Sequence, residues 1–69
     1  MELEELYNEV KEWVPTQIYV DMTTIQKEFK VGFSRAYKII QFLIHDHLIE
    51  EKYISGKGHK VIRLDYPKA

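Results

Sequence analysis

KEFKVGFSRAYKIIQFL, residues 27–43, holds one tight break between two helix-like runs. The break is Val31-Gly32-Phe33. Before it, MTTIQKEFK reads as a short helix in which Ile25 and Phe29, four residues apart, share one face. Thr23 or Thr24 is placed to cap that helix, with Gln26 or Glu28 to answer the cap. Gly32 is expected to end it in a left-handed conformation that costs glycine little. Val31 and Phe33 are expected to point into the core, and Ser34 to cap the next helix, which runs to about His47. Ala36, Ile39, Ile40, Leu43 and Ile44 form its apolar stripe, with Leu48 just beyond. Arg35, Lys38, Gln41 or Phe42, and His45 fall on the other side, so the polar face is basic. The corner is either simple packing or a helix-turn-helix.

Working outward from that corner, LEELYNEVKEWV places Leu3, Leu6, Tyr7, Val10, Trp13 and Val14 at helical spacing. Glutamates crowd its start, where the helix dipole favours anions. Pro15 is expected to stop it, because the residue before proline is biased out of the helix. Ile18, Tyr19 and Val20 read as a short strand or extended connector. After the basic helix the period changes. IEEKYI and VIRL flank SGKGHK, whose Gly56 and Gly58 are turn chemistry, and together they predict a hairpin. The final DYPKA is expected to fray. The element order is helix, short strand, helix, turn, helix, strand, loop, strand. It predicts an α+β winged helix: three helices with a helix-turn-helix, plus a small antiparallel β-hairpin wing. One domain is expected over residues 1–69, with its core over about 3–64.

The chain has 69 residues and no cysteine, which excludes disulfides and thiolate metal sites within it. A domain of this size buries only ~60% of its unfolded surface, so its core must be efficient. A 45% hydrophobic fraction and nine aromatics supply the material for one. No apolar run approaches the ~20 residues that span a membrane, and no basic-apolar-small leader opens the chain, so a cytoplasmic location is expected. The net charge of −1 conceals an asymmetry. Residues 1–14 carry −4, and residues 15–69 carry +3. A mildly basic body behind an acidic first helix is compatible with nucleic-acid binding on one face.

In a helix-turn-helix the first residues of the second helix reach base edges and phosphates. Ser34, Arg35 and Lys38 hold those positions, with Gln41 further along. Arginine can bridge guanine O6 and N7, and lysine contacts phosphate or guanine. Lys57, His59 and Lys60 on the wing are candidates for the backbone or minor groove, and Lys27 and Lys30 for phosphates. Double-stranded DNA is therefore the expected partner. His45 and His47 are two apart, roughly 200° around a helix, so both cannot face one ion. No metal, cofactor, catalytic set or small-molecule substrate is expected. The competing reading is a protein-interaction winged helix, favoured by the acidic first helix and the exposed aromatics Phe42 or Tyr37.

TTIQKEFKVGFSRAYKIIQFL also resembles the gamma domain at the C-terminus of FtsK/SpoIIIE-type DNA translocases. That family's run is close to S-x-L-Q-R-x-[FL]-x-I-G-Y-N-R-A-x-R-[IL]-[IV]. Here Ile25-Gln26 stands for L-Q, Val31-Gly32-Phe33 for I-G-Y, Ser34-Arg35-Ala36 for N-R-A, and Lys38 for the second arginine. The likeness covers roughly residues 6–64 and is strongest over about twenty residues. It implies a winged helix that reads short G-rich polar sequences orienting a hexameric motor in chromosome segregation. It also implies contact with a tyrosine recombinase or the parent motor protein. On this likeness Ser34, Arg35 and Lys38 contact DNA, while Gln26 braces the turn. Ser34 is shorter than asparagine and loses its bidentate contact, and Lys38 loses the planar fork of arginine. Neither change favours the family's own target sequence. No Walker P-loop is present, so the chain has no motor activity of its own.

Overall fold

Glutamate at the first turn sets where the chain starts to coil. The Glu2 backbone N–H donates to Glu5 Oε1 at 3.3 Å, and α1 runs over Leu3–Trp13. The computed structural model describes residues 2–62. Pro15 does not stop the helix as abruptly as expected. Val14 keeps helical dihedrals (φ −53°, ψ −43°), and the chain tightens into a 3-10 turn over Val14–Thr16. Proline is tolerated there because its missing N–H falls in a first turn, where that donor has no helical partner. The Thr16 hydroxyl then donates to the Trp13 carbonyl at 2.6 Å and closes the end.

A two-residue strand, β1 (Tyr19–Val20), leads into α2 (Met22–Phe29). The cap of α2 is Asp21 rather than Thr23 or Thr24. Its Oδ1 accepts from both the backbone N–H and the hydroxyl of Thr24, each at 2.8 Å. A carboxylate just before the helix outranks threonine as a cap, and the helix accordingly begins earlier. The left-handed step also falls elsewhere than expected. Lys30 takes it, at φ 55° and ψ 51°, while Gly32 is extended at φ −81° and ψ 179°. The Gln26 carbonyl accepts from the N–H groups of Lys30 and Val31, which closes α2 at the turn.

Helix α3 (Phe33–His45) starts from Gly32 as its N-cap, not from Ser34, which lies inside the first turn. It buries Ala36, Ile39, Ile40 and Leu43, the expected stripe, with Ile44 packed at its margin. Val31 is half-buried against the same core, as expected, but Phe33 is 67% exposed. It lies two turns before Ile40 on that side, where no other element covers it, and it stacks on Tyr37 instead (ring centroids 6.4 Å apart, planes at 12°). The helix ends at His45 rather than His47. His47 is left-handed (φ 61°), and the Leu48 N–H reaches back to the Leu43 carbonyl at 2.9 Å. That six-to-one closure is a Schellman end, and it assigns His47 a turn role.

Two strands follow, β2 (Ile49–Ile54) and β3 (Gly58–Val61). The sheet order is β1-β3-β2, with both pairings antiparallel. The registers are Tyr19↔Lys60 and Val20↔His59 on one side, and Ile49↔Val61, Tyr53↔His59 and Ile54↔Gly58 on the other. Four steps along β2 between Ile49 and Tyr53 oppose two along β3, so β2 bulges there. Gly58 is required by both its backbone and its neighbours: φ is 113°, and a Cβ would lie 2.7 Å from the Val20 carbonyl oxygen. Leu6 and Val10 of α1, Val20, Ile25, Ile49 and Val61 meet the α3 stripe to complete the core. Three helices and a three-stranded antiparallel sheet make an α+β arrangement compatible with a winged helix. The expectation for residues 65–69 lies outside the described residues.

Candidate nucleic-acid interface

The first turn of α3 is where the candidate cations gather. Gly32 brings no side chain, so nothing caps the helix, and the N–H groups of its first turn have no partner within it. The left-handed step at Lys30 sets that residue beside the turn. Lys30 and Arg35, together with Phe29, Val31 and Gly32, line a depression of about 350 Å³. Ser34, Arg35 and Lys38, with Leu3 of α1, line a neighbouring one of about 160 Å³. Thus Lys30, Ser34, Arg35 and Lys38 come together, all exposed. Positive side chains around a helix N-terminus add to the dipole and favour an anion.

Gln41 continues the line. Ser34, Lys38, Gln41 and His45 are spaced by four, three and four residues, so they share one exposed stripe of α3. Arg35 and Phe42 flank this stripe on the α1 side, where the Tyr7 and Phe42 rings meet edge to face at 5.3 Å. The Tyr7 hydroxyl donates to the Asp46 carboxylate and ties α1 to the far end of α3. Burial, then the hydrogen bond to Asp46, then its charge raise the Tyr7 pKa well above the ordinary phenol value.

The wing residues divide between the two sheet faces. His59 pairs with buried Val20 and with Tyr53, so all three side chains point to the helix side of the sheet. Its Nδ1 lies 2.9 Å from the Glu50 carbonyl oxygen, which makes Nδ1 the donor, and its ring packs on Tyr53 at 5.6 Å. Lys60 pairs with Tyr19 and faces the opposite side. Lys57, at the wing tip, holds its Nζ 5.3 Å from the Tyr19 ring centroid. Lys57 and Lys60 therefore stand on the sheet face that looks away from α3, apart from the Arg35 cluster. Lys27 is exposed in the last turn of α2 and lines neither depression.

Between α3, the start of α2 and the helix side of the wing lies a groove of about 510 Å³. Gln41 lines it, as do His59, Tyr37 and Tyr53. Neither Tyr53 nor Phe33 was singled out by sequence pattern as exposed. The aromatic pair at Phe33 and Tyr37, spaced i, i+4, was the available signal. Among the described residues no three potential metal ligands come together, and no helix is long and apolar enough to cross a membrane. Comparison of the chain with protein-family profiles, curated proteins and solved structures finds no match.

Proposed function

We propose that this chain is a DNA-binding winged helix that presents the N-terminal end of α3 to the major groove of duplex DNA. The observation that carries the reading is the convergence of Lys30, Ser34, Arg35 and Lys38 on a helix start that no side chain caps. Phosphate oxygens would accept from the N–H groups of that turn and from Lys30. Arg35 and Lys38 would reach guanine edges and the phosphates beside them, and Gln41 an adjacent base, one turn along. The further likeness to the gamma domain of DNA translocases makes a G-rich polar sequence the first candidate target. Ser34 and Lys38 stand where that family carries asparagine and arginine, so the preferred sequence is expected to differ from the family's. A cytoplasmic role in chromosome segregation, beside a motor protein or a recombinase, belongs to the same proposal.

Few phosphates are neutralised by one copy, so affinity is modest and salt-sensitive. Three cations predict a slope of log K against log salt of about −3. Tandem copies would gain by avidity. The test is a fluorescence-anisotropy titration of duplexes at two salt concentrations, combined with selection from a random duplex pool. Arg35→Ala with Lys38→Ala is expected to reduce the slope by about 2 and to abolish enrichment. Binding unaffected by the double substitution would refute the proposal.

A further inference from the structure

We infer that the groove between α3 and the wing is a second binding site, one that takes a lysine or arginine side chain from a basic segment of a partner protein. It lies on the flank of α3 opposite Arg35. Tyr37 and Arg35 are two residues apart, roughly 200° around the helix. A volume of about 510 Å³ falls within the range of formed ligand sites.

Its chemistry is layered. Ile40 is buried, and Met22 and Ile44 are half-buried, so the inner surface is aliphatic. Tyr37 and Tyr53 stand at the outside, 50% and 55% exposed. Two carboxylates, Asp21 and Glu51, complete the lining, and it includes no lysine or arginine. Asp21 commits Oδ1 to the α2 cap, leaving Oδ2 for a ligand. His59 commits Nδ1 to the Glu50 carbonyl, which leaves Nε2 as an acceptor when the ring is neutral.

An apolar interior, tyrosine faces and acceptor-only carboxylates match one kind of group. The aliphatic stem of a lysine or arginine lies on the inner surface, and its cationic head meets ring faces and carboxylates. The same lining disfavours nucleic acid, because Asp21 and Glu51 would repel a phosphate. The groove thus has the opposite charge preference from the first turn of α3, and the two sites do not compete for one ligand.

The experiment is amide chemical-shift mapping of the full chain with two short peptides, one alternating lysine and serine and the other glutamate and serine. The lysine peptide is expected to shift Tyr37, Gln41, Glu51 and Tyr53, and the glutamate peptide to leave them unmoved. Glu51→Gln and Tyr53→Ala, both at exposed positions, are each expected to weaken lysine-peptide binding roughly two- to five-fold. Arg35→Ala with Lys38→Ala should not weaken it, so failure of this site and failure of the DNA reading are separable. Four results would overturn the inference: no groove shifts, shifts spread instead along the α1 glutamates, an unchanged affinity in Glu51→Gln, or duplex DNA moving Glu51 and Tyr53.

Discussion

Substituting Gly58 by alanine is expected to be the most damaging single methyl addition among the three glycines. The new Cβ would meet the Val20 carbonyl oxygen at 2.7 Å and Asp21 Cβ at 3.0 Å. The first of these is a backbone atom in the neighbouring strand, so relief requires β1 and β3 to separate. That movement threatens the Val20↔His59 pairing beside it and the Asp21 cap that starts α2. The backbone adds its own cost. At φ 113°, a residue with a Cβ is strained by ~1–3 kcal/mol, and the overpacking contributes a similar ~1–3 kcal/mol. The combined loss is about 2–6 kcal/mol, against a total stability of roughly 3–10 kcal/mol for a domain of this length. With a urea m-value of about 1–1.5 kcal/mol/M, the unfolding midpoint should fall by more than about 1 M. Gly56→Ala, at φ 80° with nothing near its Cβ, should lose only ~1–2 kcal/mol. Gly32→Ala, extended and unobstructed, should move little. Urea titrations of the three variants, followed by circular dichroism, test the ranking. A Gly58→Ala midpoint within about 0.3 M of the parent, the scatter of a ~10% extrapolation, would refute the placement of β3 against β1.

Asp21→Ala removes the acceptor that Thr24 uses twice, and should cost about 1 kcal/mol in the same titration. Lys30→Gly relieves a non-glycine left-handed residue, and should raise thermal stability by roughly 1 kcal/mol while weakening DNA binding. Tyr7 has its pKa raised on folding by burial, the Asp46 hydrogen bond and the Asp46 charge. Its contribution is therefore fully present below the unfolded phenol value of ~10 and is lost as pH rises above it. Tyr7→Phe should flatten the alkaline limb of a stability-versus-pH curve, and an unchanged limb would count against the Tyr7–Asp46 contact.

How much of this could be read from residues alone depended on whether a local signal had a local competitor. The α3 stripe had none. Ala36, Ile39, Ile40 and Leu43 are spaced for one helical face and are all buried. The corner had several. Two threonines and an aspartate stood within four positions, and the strongest acceptor took the cap, one residue before the helix, leaving the threonines inside it. Gly32 is the residue that pattern marks for the left-handed step, yet Lys30 takes it, because the Gln26 carbonyl closes the helix two residues before Gly32. That shift moves the start of α3 to Phe33 and exposes its ring. The wing shows a different limit. Lysines at positions 57 and 60 and a histidine at 59 read as one basic loop, but alternation along β3 sends Lys60 and His59 to opposite faces. Only the pairing with buried Val20 tells which face is which. The groove was illegible for the same reason: Asp21 lies just before α2, Tyr37 on α3, and Glu51 and Tyr53 on β2.

The acidic first helix acquires a consequence once its start is placed. Leu3 lines the same depression as Ser34, Arg35 and Lys38, so the first turn of α1, with Glu4 next to Leu3 in it, borders the proposed DNA surface. A phosphate held by Arg35 would sit on the order of 10 Å from such a carboxylate, about one Debye length at moderate salt. Repulsion at that distance in water is ~0.4 kcal/mol per charge, which is close to a two-fold loss of affinity. Glu4→Gln is therefore expected to tighten duplex binding by roughly two-fold at low salt, with the gain fading as salt rises. Glu4 is exposed, so the stability of the fold should change little. The opposite outcome is equally informative. If neutralising Glu4 leaves duplex affinity unchanged while Lys57→Ala or Lys60→Ala lowers it, the DNA lies on the outer sheet face and not at the start of α3.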